Sequence, residues 1–206
     1  NMEVTIREQN LGHYTVPEDV KGGTCVDVGA NVGNFTDTHK NYFSLIHYYE
    51  PFLGCYEICL HKFKDIDNVI GYNEAVFSET TRHNLLKHQN SDSGSSALDT
   101  ETINAEWNPE DVIQKVSCVD LDTILERIGG HIDYMKCDCE TSEYHLLMNK
   151  DLSAINYLAL ELHWQMGSNR FIELTNHIKK THELMPSNCD HYRPGKNTEC
   201  MYRLKG

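Results

Sequence analysis

The chain has 206 residues, room for one domain with a sizeable core, and its 39% hydrophobic and 24% charged content is ordinary for a globular protein. A formal net charge of -13 works against a nucleic-acid backbone as partner, and the doublet Lys179-Lys180 is no basic patch. No apolar run approaches the roughly 18 residues of a membrane span, and no basic-then-apolar leader opens the chain.

Asn1-Met2-Glu3 reads as a cut from a longer chain, so residues 1–206 are expected to be one domain of a multidomain protein, with 1–20 as a lead-in. The chain holds eight cysteines, and Cys25, Cys118 and Cys137 fall in strand-like runs where a thiol acts as a small hydrophobe. Without a leader they are expected to be reduced, in a cytoplasmic setting. Cys137 and Cys139 lack a second pair at zinc-site spacing.

The predicted elements alternate. Cys25 to Val28 reads as a strand, Asn34 to Phe43 as a helix, Leu45 to Tyr49 as a strand, Leu53 to Phe63 as a helix and Val69 to Val76 as a third strand. Lys87 to Thr102 is rich in Ser, Asn, Asp and Gly, lacks apolar periodicity and reads as a long mobile loop or lid. Then come Val112 to Val119, partly strand, and a helix from Asp120 to Ile128 with Asp120 as its N-cap. Ile132 to Cys137 is a strand, Ser142 to Met148 a helix, Tyr157 to Leu162 a strand, Arg170 to Lys180 a helix and Met201 to Leu204 a short last strand. Short apolar strands separated by helices imply βαβ units: an α/β, doubly wound, Rossmann-like sheet, mostly parallel and covered on both faces.

Such a sheet binds ligands at the carboxyl ends of its strands. The first strand runs into Gly29-Ala30-Asn31-Val32-Gly33, where the glycines let the backbone turn and approach a ligand. Asp27 is unexpected in a buried strand, and it is placed to orient the loop or reach a cation. The loop lacks the third glycine of a dinucleotide fingerprint. An acid before it and Asn31 inside it suit a ligand with an amine and a carboxylate, such as the amino-acid end of S-adenosylmethionine. Glu50, at the end of the second strand, is placed to accept from both ribose hydroxyls of an adenosine. A nicotinamide oxidoreductase and a non-catalytic cofactor-binding module are the competing readings. The first also wants the third loop glycine, and a base methyltransferase wants a Pro-Pro-aromatic motif where Lys136 to Glu140 stand.

In order, "VPEDVKGGTCVDVGANVGNFT", "YYEPF", "YNEAVFSE", "GSSAL", "VSCVDLDTIL", "IDYMKCDCETSEYHLL" and "YLALELH" span Val16 to His163. These segments resemble the FkbM-type S-adenosylmethionine-dependent methyltransferases. Thr141 departs from the family, which usually has glycine after the glutamate of K-x-D-x-E. The resemblance implies seven strands, mostly parallel with one antiparallel edge, and methyl transfer to an oxygen of a sugar or natural product. It places the cofactor against Asp27, Gly29, Ala30, Asn31, Gly33, Asn34, Glu50, Pro51 and Asp138, with Asn73 and Ala75 near the adenine. Ser96, in a matching segment of the expected lid, is also placed against the cofactor. Neighbouring glycosyltransferase domains in a longer chain would fit a glycan acceptor.

Methyl transfer to oxygen is an in-line displacement in which the acceptor hydroxyl must lose its proton. Asp138 with Glu140, and Glu161 with His163, end two predicted strands, and the period of two puts each pair on one side. If the strands are neighbours, Asp138, Glu161 and His163 converge beside the methyl group. His163 then serves either as general base or, with Asp138 and Glu161, as a ligand of Mg²⁺ or Mn²⁺. Two carboxylates and an imidazole crowded together favour the metal, because a cation would hold them in place. Glu143 reads as a first-turn helix acid favoured by the dipole, Lys136 as the partner of an acid, and Trp107 and Trp164 as core, lid or sugar-site aromatics.

Overall fold

The computed structural model describes residues 14–80, 84–88, 96–98, 112–186 and 188–206. Its central sheet contains β1 (Thr24–Val28), β2 (Leu45–Tyr49) and β3 (Val69–Tyr72). A second sheet is built from β4 (Glu74–Val76), β5 (Asn84–His88), β6 (Ser96–Leu98) and β7 (Val112–Val119). The chain then returns to the first through β8 (Ile132–Cys137), β9 (Ile155–Leu162), β10 (His182–Leu184) and β11 (Thr198–Leu204). The helices are α1 (Asn34–His39), α2 (Leu53–Phe63), α3 (Leu121–Ile128), α4 (Ser142–Leu147) and α5 (Gly167–Ile178).

The central sheet has seven strands in the order β10-β11-β9-β8-β1-β2-β3. The pairs from β9 through β8, β1 and β2 to β3 are parallel, and β11 runs antiparallel to both β9 and β10. The antiparallel strand is therefore one place in from the edge, not the edge itself. Strand order reverses at β1, so the carboxyl ends of β1, β2 and β8 enclose the crevice where such sheets take ligands.

β1 and β2 are buried along nearly their whole length because both faces are covered. Val26 and Val28 alternate toward a core shared with Ile124 of α3, Leu147 of α4 and Leu174 of α5. Cys25 alternates toward a second core with Phe35 of α1, Ile46 and Tyr134. α3 follows its local signals closely. The Asp120 carboxylate accepts from the Thr123 N–H at 3.0 Å, and Gly129 and Gly130 end the helix in left-handed conformation.

Three expected boundaries move. α1 stops at His39, short of Phe43. The run Val69 to Val76 is two strands: Asn73 breaks it, β3 completes the central sheet, and β4 pairs in parallel with β7. Within the expected loop, Lys87 and His88 pair with Ala97 and Ser96 as antiparallel strands, and residues 89–95 and 99–102 lie outside those described. Trp107 also lies outside them. Among the described residues no helix is long and apolar enough to cross a membrane.

Candidate active site

The glycine loop lies against the end of β8. Asp138 donates its N–H to Val28 O at 3.1 Å. Gly29 has φ +74, and a Cβ there would fall 1.7 Å from Asp138 O, so neither its conformation nor its space admits a side chain. Gly33, φ +79, precedes α1, where a Cβ would strike the Phe63 ring at 2.7 Å. Asn31 between them is also left-handed, φ 53, a conformation asparagine tolerates.

Glu50 ties this loop to β2. Its two carboxylate oxygens accept from the N–H groups of Asn31, 2.7 Å, and Phe52, 2.8 Å. Burial pushes the Glu50 carboxyl up to about 7, although those N–H groups and Lys136 pull it down. The Asn73 amide donates to Glu50 O and Pro51 O, clamping the turn after β2. Ala75 packs in a small core with Val116 and Cys118. Ala30 is buried against Tyr48, Cys59 and Phe63. The Asn34 side chain turns toward Lys62, whose ammonium also donates to Val32 O at 2.7 Å. Ser96 takes part through its backbone pairing with His88.

Asp27 lies beneath the loop, fully buried. One carboxylate oxygen accepts from the Thr36 hydroxyl at 2.7 Å, and the other is 3.1 Å from the Lys136 ammonium on the neighbouring strand. Lys136 also donates to Gly29 O at 2.7 Å. Burial works against its charge, but Asp27 and Asp138 outweigh it and hold the amine above its usual range. Asp27 therefore acts on the loop through Lys136, and the reading of Lys136 as partner of an acid agrees with this pair.

The ends of β8 and β9 bring together Asp138, Glu161 and His163, with ligand-capable atoms all within 4.8 Å of one another. Each has an outer partner. Tyr14 donates its hydroxyl to Asp138 at 3.1 Å, Asn197 donates its amide to Glu161 at 3.0 Å, and Glu143 lies 2.9 Å from His163 Nδ1. Burial first and Asp138 second push Glu161 up to about 8. Burial works against the Asp138 carboxylate, but Lys136, Glu161 and His163 hold it below its usual range. Of the two acids, Glu161 is thus the one whose charge the site opposes. Burial opposes charge on His163, yet Glu143 and Glu140 raise it well above an ordinary imidazole.

Two roles differ from expectation. Glu143 is fully buried, and the same oxygen accepts from the His163 N–H at 2.9 Å, so it is the orienting partner of His163 rather than an acid serving a helix dipole. Its signal was its place one turn after Cys139, but nothing local names a partner 20 residues away. Glu140 lies beyond the end of β8 with φ 49, so the period of two does not reach it. A turn carries its carboxylate to 3.3 Å from His163 Nε2 instead.

The Methyltransferase FkbM domain model matches residues 27–192. No curated protein matches the chain. An FkbM methyltransferase structure from Methylobacillus flagellatus KT aligns with TM-score 0.51 and 17% identity, over 88% of this chain and 43% of that one. The chain therefore spans less than half the length of that protein. An rRNA methylase from Streptococcus thermophilus aligns with TM-score 0.49 and 8% identity, over 91% of this chain and 90% of that one. Fibrillarin from Aeropyrum pernix with natively bound S-adenosyl-L-methionine aligns with TM-score 0.47 and 9% identity, over 89% and 67%. Family membership sets aside the nicotinamide oxidoreductase reading. The chain belongs to the FkbM family of S-adenosylmethionine-dependent methyltransferases.

Proposed function

We propose that this domain transfers the methyl group of S-adenosylmethionine to a hydroxyl of a sugar or glycan. The observation that carries the reading is the convergence of Asp138, Glu161 and His163 at two neighbouring strand ends, directly against the glycine loop. The loop and Glu50 bind the cofactor, and the Asp27–Lys136 pair holds the loop in shape. The cluster acts on the acceptor hydroxyl, and Trp164, 37% exposed next to His163, offers a face for a sugar ring. The net charge of -13 favours a neutral acceptor over RNA. Glycosyltransferase domains in a longer chain would supply such an acceptor.

The donor set fits a divalent cation: two carboxylates and His163 Nε2, a buried nitrogen without a hydrogen-bond partner. Such an ion, when bound, supplies a Lewis acid that makes the hydroxyl easier to deprotonate. An imidazole among the ligands suits Mn²⁺ better than Mg²⁺. The alternative is His163 as a general base without metal, its ring oriented by Glu143 at Nδ1. Glu143 orients the ring, and Tyr14 and Asn197 hold the two carboxylates.

The test is a panel of glycosides, small phenols and RNA oligomers with isotope-labelled cofactor, read by mass spectrometry after EDTA treatment and after Mn²⁺ is added back. Methylated glycoside, abolished by EDTA and restored by Mn²⁺, is expected. Label on phenol or RNA alone overturns the acceptor class, and EDTA-resistant turnover removes the metal.

Cofactor affinity should also depend on pH through Glu50. Its carboxyl titrates at about 7 in the folded protein, against about 4.3 for an ordinary glutamate, so the free protein holds a proton there below neutrality. The ribose hydroxyls donate to the ionised form, so binding expels that proton. Affinity should therefore rise as pH increases toward about 7 and level off above it, by up to about tenfold per unit on the rising part. Calorimetry in two buffers of different ionisation heat should register proton release near pH 6. A flat affinity profile in the unaltered protein, indistinguishable from that of Glu50→Gln, removes Glu50 from the cofactor site.

A further inference from the structure

We propose that the segment before β1 is part of the catalytic machinery, because it delivers Tyr14 as the positioning residue of Asp138. The inference rests on the methyl-transfer reading above, for any acceptor hydroxyl. It extends the site to a stretch outside the matched family region, which begins at residue 27.

Residues 14–22 form a strap over the α1 side of the sheet, fastened at several points. The Tyr134 hydroxyl of β8 donates to Thr15 O at 3.3 Å, and the Tyr42 hydroxyl to Pro17 O at 3.0 Å. The Tyr157 hydroxyl of β9 donates to the Asp19 carboxylate at 2.7 Å. Gly22 donates its N–H to Tyr42 O at 2.8 Å, and Val20 is buried in the core that holds Phe35, Tyr134 and Ala159. A segment leading into a first strand is ordered where something ties it down. Here two of the ties come from β8 and β9, the strands whose carboxyl ends present Asp138 and Glu161. The same two strands therefore place both the strap and the cluster.

Tyr14 stands at the cluster end of the strap. Its hydroxyl donates to Asp138 Oδ2 at 3.1 Å. The ring lies edge-to-face with Phe35 of α1, centroids 6.0 Å apart at 83°, and the Lys136 ammonium is 5.5 Å from its centroid. Burial, then Asp138 and Glu161, push the phenol well above its usual range, so it keeps its proton and remains a donor. The nearby cation does not do this work. Lys136 directs its ammonium to Asp27 and to Gly29 O, which leaves the orientation of the Asp138 carboxylate to Tyr14 and Glu161. Holding one oxygen fixes the rotation of a carboxylate. At a reacting centre such fixing matters, since a misplacement of about 1 Å can lower the rate about 10²-fold.

The experiment compares the full chain with Tyr14→Phe and Tyr157→Phe, using the glycoside, phenol or RNA oligomer that the unaltered protein methylates, beside melting curves. Tyr14→Phe keeps the ring and both its contacts and removes only the hydroxyl. Its kcat should fall at least about tenfold, while KM for S-adenosylmethionine and the melting temperature stay close to those of the unaltered protein. Tyr157→Phe removes a strap bond of the same kind away from the cluster, and its kcat should stay within about twofold. A Tyr14→Phe kcat within about twofold of the unaltered value overturns the assignment. Equal loss in the two variants, or a Tyr14→Phe chain that no longer folds, overturns it as well and makes Tyr14 a fastening of the strap. If the unaltered protein binds cofactor but methylates nothing in the panel, the methyl-transfer reading itself fails, and this proposal with it.

Discussion

Replacing Glu161 or His163 by Ala should lower methyl transfer by about 10²-fold or more while leaving cofactor affinity nearly unchanged, in line with what positioned proton-transfer groups contribute. Neither residue belongs to the glycine loop or to the turn after β2, so the donor should still bind. Glu161→Ala is the cleaner variant. Its side chain is only partly buried, and removal frees the Asn197 amide rather than stranding a charge. His163→Ala leaves Glu143 fully buried without the imidazole it faces at 2.9 Å, so a stability loss of about 3–5 kcal/mol accompanies the kinetic effect. Turnover must therefore be measured well below the melting temperature of each variant. Kinetics with labelled cofactor, beside calorimetric binding, separate the two effects. Near-normal turnover in both variants refutes the cluster and leaves alignment of donor and acceptor as the source of catalysis.

Lys136→Met should destabilise the fold by about 3–5 kcal/mol, because it strands the Asp27 carboxylate at 0% exposure. Two smaller losses add to this. Gly29 O loses a donor at 2.7 Å, and the Tyr14 ring loses an ammonium 5.5 Å from its centroid. The double variant Asp27→Asn with Lys136→Met should recover part of the loss, since no unpaired charge remains in the sheet. Urea unfolding decides the matter: the midpoint should fall in the single variant with the slope unchanged, and rise again in the double. Equal stability of the Lys136→Met and unaltered proteins would show that water reaches Asp27. Because Lys136 also bonds Gly29 O, the single variant should bind the cofactor more weakly even where it remains folded.

Much of this was legible in the residues. Asp120 caps α3 through the Thr123 N–H, a contact three residues long that local sequence carries completely. β1 and β8 are apolar runs at positions buried on both faces, which is why alternation between strand and helix sufficed to describe a parallel sheet. The split at Asn73 was not read, because Asn73-Glu74 interrupts the run without saying which sheet its second half joins, and only β7, reached more than thirty residues later, draws β4 away from the central sheet. The two-stranded segment of β5 and β6 escaped notice for a related reason. Its pairing partner is β7, and the run between shows no apolar period of its own.

By itself, then, the sequence determined the order of strands and helices, the glycine loop with Glu50 downstream, and the three residues of the cluster, because each rests on residues close in the chain or on a repeated period. Only the tertiary structure decided who partners whom. Lys136 is 109 residues from Asp27, Tyr14 is 124 from Asp138, and Glu143 meets His163 across 20 residues. A buried charge must find its counterpart wherever the fold brings one, and no local pattern records that meeting. The left-handed turn at Glu140 and Thr141 is of the same kind. Neither residue prefers it, and the packing of β8, α4 and β9 around the site imposes it.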